Sequence, residues 1–91
     1  LPISNIGWKK IQVTENCKLS FMKNFNDKKF YFVHSYAAKP KNIENIYAKT
    51  KYKEIDFVSM VRKKNVIGMQ FHPEKSGEIG LDLIKNLINY F

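Results

Sequence analysis

The sequence predicts an α/β domain in which short antiparallel strands are followed by one further strand and a long C-terminal helix. Three observations support this: alternating apolar positions in residues 30–37, an apolar run in residues 66–71 that Pro73 ends, and helical apolar spacing from Gly80 to Phe91. With 91 residues, 44% of them hydrophobic, the chain suits one small domain with a real core.

The first half of the chain predicts two strands joined through a short helical segment. Residues 6–13 alternate like a strand, residues 19–25 suit one or two helical turns, and residues 26–28 form a turn signal. Residues 30–37 give the clearest strand pattern. One face would carry Phe30, Phe32, His34 and Tyr36, and the other Tyr31, Val33 and Ser35.

The second half predicts a meander and then the closing strand and helix. Residues 46–52 and 55–61 alternate as paired strands, and residues 66–71 suggest a strand buried on both faces. Ser76 is the expected N-cap of the last helix, with Glu78 near its positive end. One face of that helix would carry Gly80, Leu83, Ile84, Leu87, Ile88 and Phe91.

The chain is strongly basic, with a formal net charge of +8 and only one arginine, Arg62, among 16 basic residues. Reading of base edges favours the bidentate arginine fork, so this composition argues against sequence-specific nucleic-acid recognition. The lysines are scattered, mostly in predicted turns. They either solvate the surface or form a basic face for an acidic partner or a phosphorylated ligand.

Other sequence features bear on location and completeness. No apolar run approaches the length of about 20 residues that a membrane-spanning helix needs, and we expect no membrane association. Cys17 alone cannot form an internal disulfide, and a cytoplasmic location is the default expectation. The start at Leu1 shows no signal-peptide pattern, and the closing strand–helix unit suggests that sheet neighbours precede it.

The residues that can carry chemistry cluster at the predicted junction of the last strand and the helix. Residues 68–76 read GMQFHPEKS, which places His72 and Glu74 two positions apart at a strand end. A carboxylate there can orient the imidazole as a general base. The same pair could instead cap the helix by a local hydrogen bond. A metal site with His34 is a further alternative, although nothing else shows ligand spacing.

This motif resembles the His/Glu motif of class I (triad) glutamine amidotransferases. Within that family, residues 5–8, residues 30–36, and the Glu-Lys-Ser-Gly segment with the Ile-Gly-Leu after it are similar to the glutaminase subunits of imidazole glycerol phosphate synthases. The resemblance spans residues 5–91. It implies the C-terminal part of a single flavodoxin-like amidotransferase domain, with the nucleophile-bearing N-terminal half absent from residues 1–91.

The resemblance implies a thioester mechanism that needs no cofactor and no metal. His72 would be the general base and Glu74 its orienting partner, while the nucleophilic cysteine would lie upstream of this chain. Cys17 does not match that nucleophile, because Glu15-Asn16-Cys17-Lys18 lacks the glycines of a tight nucleophile elbow. The chain alone is therefore expected to be inactive as a glutaminase.

The resemblance also implies substrate and partner positions. Backbone groups around Ser35 and Tyr36 would hold the α-amino and carboxylate ends of glutamine. Trp8, Tyr31 and Lys75 match positions that face a (βα)8-barrel cyclase subunit, which receives the ammonia in a heterodimer of histidine biosynthesis.

Two alternatives stay open at this stage. Asn5 and Lys9 depart from the residues usual in the family, and either could mark a paralogue that serves a synthase of surface-polysaccharide sugars. A different class, a small basic binding module for nucleic acid or an acidic protein, would show salt-dependent binding.

Overall fold

A computed structural model describes the backbone of residues 2–36 and 39–91 and the side chains of residues 7–33 and 39–91. Its regular elements are β1 (Pro2–Lys10), β2 (Gln12–Val13), a 3₁₀ turn (Ser20–Phe25), β3 (Lys29–Tyr36), a 3₁₀ turn (Ile43–Asn45), β4 (Ile46–Tyr52), β5 (Ile55–Lys63), β6 (Val66–Met69), a 3₁₀ turn (Pro73–Lys75) and α1 (Gly77–Tyr90).

The described strands form two antiparallel sheets. One sheet pairs β1 with β3, and the other has the order β2-β4-β5-β6. The meander of β4, β5 and β6 has short connections, and Lys53 and Lys64 adopt positive φ in its two turns. The predicted fold class, antiparallel strands followed by a strand and a C-terminal helix, is confirmed.

The prediction of one strand over residues 6–13 is wrong, because the chain changes sheets at Ile11. The Ile11 N–H donates to Lys28 O (3.0 Å), and the Asp27 N–H donates to Ile11 O (2.8 Å). These bonds tie Ile11 to the turn that precedes β3, so β1 loses its pairing partner there. The next residues, Gln12 and Val13, pair with β4 instead.

Strand β3 has the predicted alternation where its side chains are described. Phe30 and Phe32 are fully buried, whereas Val33 is exposed. Phe71 packs against both buried rings, with centroids 4.6 Å from Phe30 and 5.6 Å from Phe32. Burying one such ring contributes roughly 1.5–3 kcal/mol. This aromatic cluster anchors the chain at the residue immediately before His72.

One expectation about burial at the C-terminal end is wrong, namely that residues 66–71 are buried on both faces. Val66, at the start of β6, is 70% exposed, whereas Phe71 is buried; among the described residues β6 is an edge strand of its sheet. In α1, Gly80 and Leu83 are buried against the core, but Ile88 is 69% exposed. The helix therefore buries only part of its apolar face in this chain.

Candidate active site

The predicted contact between His72 and Glu74 is present. His72 Nδ1 lies 3.0 Å from Glu74 Oε2, and both side chains are accessible to solvent. The pKa of the Glu74 carboxyl lies below its ordinary value. The causes are first its own backbone N–H, then the bond and charge of His72, and last the charge of Lys75. The carboxylate is thus held ionised beside an imidazole, as an oriented base requires.

The contact arises from a tight turn. Pro73 in the sequence suggests instead an extended link, in which residues two apart point the same way. His72 itself is extended (φ −107°, ψ 95°), and a 3₁₀ turn over Pro73–Lys75 follows at once. The Lys75 N–H closes that turn by donating to His72 O (3.0 Å). Proline favours this turn because its ring fixes φ and it has no N–H to satisfy.

The backbone of His72 is fixed to the end of the sheet. Phe71 forms an antiparallel bridge with Phe32, and the His72 N–H donates to Tyr31 O (2.8 Å). His72 therefore continues the ladder begun by a residue of the aromatic core. The backbone that carries the imidazole is therefore held by hydrogen bonds, although the ring itself is partly exposed.

Ser76 occupies the N-cap position, as predicted, but its side chain caps nothing. Its buried hydroxyl donates to His72 O (2.6 Å) and accepts from the Tyr31 N–H (2.9 Å). Gly80 adds a second contact that the sequence reading missed. A Cβ at Gly80 would lie 1.9 Å from Pro73 O and 2.8 Å from Ser76 Cβ. The glycine four positions after Ser76 was the available signal for this close approach.

Two of the three predicted partner-facing residues lie together on the small sheet. Trp8 and Tyr31 are register partners of β1 and β3, and their rings make an edge contact at 5.8 Å. Trp8 keeps 49% of its surface exposed. Lys75 is exposed at the end of the 3₁₀ turn that follows His72. Because Tyr31 also bonds the His72 backbone, the Trp8–Tyr31 pair adjoins the candidate base.

The predicted substrate positions lie at the far end of β3. Ser35 and Tyr36 belong to this strand, and Tyr36 is the register partner of Pro2. The side chains of Ser35 and Tyr36 lie outside the described residues, as does that of His34. Their role in holding glutamine stays a prediction.

Cys17 does not have the surroundings of a reactive thiol. It follows a turn closed by its N–H to Thr14 O (3.2 Å), and its side chain is half-buried. Burial raises the pKa of the Cys17 thiol above its ordinary value, outweighing a bond to the backbone of Leu19 and the charge of Arg62. A raised pKa leaves less thiolate at neutral pH.

Cys17 also lies at the wrong end of the helix. Phe21, in the 3₁₀ turn that follows Cys17, packs its ring 6.0 Å from the ring of Tyr90 at the C-terminal end of α1. His72 precedes the N-terminal end. A helix of 14 residues is about 21 Å long. The thiol and the imidazole therefore cannot form a catalytic pair in this fold.

Two further features are absent from the parts of the chain that the structure describes. No group of three or more His, Cys, Asp or Glu side chains there could hold a metal ion. No helix there is long and apolar enough to cross a membrane.

The fold and this His–Glu site define a class of protein. The sequence model of the family described as glutamine amidotransferase class-I matches residues 3–89, and the chain belongs to that family. Similar proteins include the imidazole glycerol phosphate synthase subunit HisH of Pyrococcus furiosus, 45% identical over 82 residues, which is 90% of this chain and 42% of the relative. The HisH subunit of Buchnera aphidicola is 44% identical over 88 residues, 97% of this chain and 43% of the relative. The chain thus spans about two fifths of the length of the curated relatives it matches.

Proposed function

We propose that the chain supplies the base and the orienting carboxylate of a Cys-His-Glu glutaminase. The whole enzyme would be the glutaminase subunit of an imidazole glycerol phosphate synthase in the cytoplasm. It would hydrolyse glutamine to glutamate and ammonia for histidine biosynthesis. The observation that carries the proposal is the 3.0 Å contact between His72 Nδ1 and Glu74 Oε2 within the family-matched segment.

The chemistry follows from which ring nitrogen is engaged. With Nδ1 held by the Glu74 carboxylate, Nε2 of His72 is the nitrogen that can accept a proton. It would take the proton of the cysteine thiol, and the thiolate would attack the side-chain amide carbon of glutamine. The C–N bond then breaks, His72 returns the proton to the leaving ammonia, and water hydrolyses the thioester. This proposal assigns the nucleophile to a cysteine other than Cys17.

The residues around the His72–Glu74 pair support a role in passing ammonia to a partner subunit. Trp8 and Tyr31 present an aromatic surface beside the His72 backbone, and Lys75 is exposed on the adjoining turn. In this proposal these three residues face a (βα)8-barrel cyclase subunit that receives the ammonia. Ser35 and Tyr36 would hold the ends of the glutamine substrate.

The test uses this chain joined to the N-terminal half of a HisH relative and mixed with the partner synthase. His72→Asn should remove most glutamate formation, because general acid–base catalysis alone contributes about 10²–10⁴-fold. Glu74→Gln should cost less, since Glu74 orients the base and does not carry the proton. Glu54→Gln is the matched control: Glu54 is an exposed carboxylate in the turn between β4 and β5. Full activity of His72→Asn would refute the proposal.

The product formed with each candidate partner separates the remaining possibilities. Amination of the imidazole precursor supports the histidine-pathway assignment. Coupling only to a synthase of polysaccharide sugars would instead favour the paralogue that Asn5 and Lys9 suggested. The family match favours either enzyme over a small basic binding module.

A further inference from the structure

The Tyr31–His72 contact is an incomplete β-ladder pair. In a regular antiparallel ladder, two opposed residues of a hydrogen-bonded pair exchange both N–H···O bonds. Here the His72 N–H donates directly to Tyr31 O at 2.8 Å. The reciprocal connection runs through a side chain: the Tyr31 N–H donates to Ser76 Oγ (2.9 Å), and Ser76 Oγ donates to His72 O (2.6 Å).

We propose that Ser76 is a positioning residue for the general base, because its hydroxyl completes this ladder pair and holds His72 in place against Glu74. That His72 acts as a general base rests on the proposed function. The positioning itself is a property of the fold.

Burial makes the hydroxyl hard to replace. Ser76 is 1% exposed, so solvent has little access to the gap that its side chain fills. Without the hydroxyl, the Tyr31 N–H would be left without its acceptor inside the fold, and an unsatisfied buried group is costly. The backbone could recover only by moving His72 toward Tyr31, which changes where the imidazole leaves the sheet.

The same hydroxyl controls the turn that carries Glu74. His72 O accepts both from Ser76 Oγ and from the Lys75 N–H (3.0 Å), and the Ser76 N–H donates to Pro73 O (3.1 Å). These three bonds fix the spacing between the base and its carboxylate across one 3₁₀ turn. Catalytic geometry is sensitive to shifts of this kind, since a displacement of about 1 Å can cost ~10²-fold in rate.

The first experiment measures the positioning without any catalysis. In the full chain, titration of the Glu74 carboxyl by carbon NMR reports how strongly His72 acts on it. The His72→Gln substitution should change that titration clearly in the Ser76 background and much less in the Ser76→Ala background. The amide hydrogen of Tyr31 should exchange faster in Ser76→Ala. Equal effects of His72→Gln in both backgrounds would overturn the proposal.

The control is Ser59→Ala. Ser59 is also 1% exposed, and its hydroxyl has no hydrogen-bond partner among the described residues. The substitution removes the same oxygen from a buried site without removing a bond, so it should leave the His72–Glu74 coupling intact. If Ser59→Ala weakens the coupling as much as Ser76→Ala, the effect is general loosening and the proposal fails.

A measurement on the unchanged chain covers the case in which Ser76→Ala does not fold. A hydroxyl held between two backbone groups should give a slowly exchanging proton signal with a nuclear Overhauser contact to the Tyr31 amide. A Ser76 hydroxyl proton that exchanges at the rate of an exposed serine would overturn the proposal.

The second experiment uses the complete glutaminase with its partner. Ser76→Ala should lower kcat about tenfold with a smaller change in KM, and Ser76→Thr, which keeps the hydroxyl, should recover part of the loss. If Ser76→Ala removes the His72–Glu74 coupling but the unchanged complete enzyme has no glutaminase activity, the proposed function is refuted and the positioning role stands. If Ser76→Ala lowers kcat while the His72–Glu74 coupling is retained, the positioning role is refuted.

Discussion

Replacing Gly80 by alanine tests how tightly α1 is seated on the catalytic turn. In an exposed helix interior this change would stabilise the chain by about 0.8–1 kcal/mol, because alanine is the better helix former. Here the added Cβ would lie 1.9 Å from Pro73 O, whereas ordinary contacts begin at 3.4 Å. The obstacle is backbone, so the helix or the turn must retreat by more than about 1 Å, and overpacking of this kind typically costs 1–3 kcal/mol.

The overpacking cost exceeds the gain in helix propensity, so we expect Gly80→Ala to lower the free energy of unfolding by up to about 2 kcal/mol. Urea denaturation followed by circular dichroism measures the change. Asn89→Ala, at an exposed position of α1, is the control and should be neutral or slightly stabilising. Stabilisation by Gly80→Ala equal to that of Asn89→Ala would refute the reasoning, because it would mean that the turn moves aside without cost.

Three further predictions follow from the site. Because the folded-state pKa of Glu74 is lowered below 4.5, its stabilisation is present above that pH and is lost as pH falls through the folded value; Glu74→Gln should therefore unfold less steeply in acid titrations, and an unchanged acid limb would contradict this. The raised pKa of Cys17 should make its alkylation by iodoacetamide slower in the native chain than in urea; equal second-order rates would show a free thiol. In the proposed complex, Trp8→Ala should weaken binding to the synthase by about 2 kcal/mol in calorimetry, whereas Ile55→Ala, at an exposed apolar position in β5, should not; equal losses would exclude a specific role for the tryptophan.

The His–Glu pair was predictable from sequence because its geometry is local. Only Pro73 separates the two residues, and its ring fixes φ, so few backbone conformations are open to the segment between them. The prediction still chose the wrong backbone, an extended segment instead of a 3₁₀ turn. The bond that decides between them is the Lys75 N–H to His72 O, and periodicity carries no information on single bonds of this kind.

The errors elsewhere arose where distant segments decide the outcome. Ile11 and Val13 alternate with Lys10 and Gln12 across the point where the chain changes sheets, so this pattern reads as one strand there. The role of Ser76 likewise depends on Tyr31, which is 45 positions away in the sequence. Local propensity correctly predicted that Ser76 is the N-cap residue, but its hydroxyl bonds to the backbone of Tyr31 and His72 and does not cap the helix.

The change of sheet at Ile11 constrains how this part of the chain can vary in length. On one side of Ile11, Trp8 is registered with Tyr31; on the other, Gln12 is registered with Lys49. Deleting or inserting a single residue between them would turn every side chain of one strand to the opposite face. Trp8 would then turn inward, or Val13 would leave the core. The number of residues between these two register pairs is therefore fixed, and we expect no natural insertions or deletions in this segment.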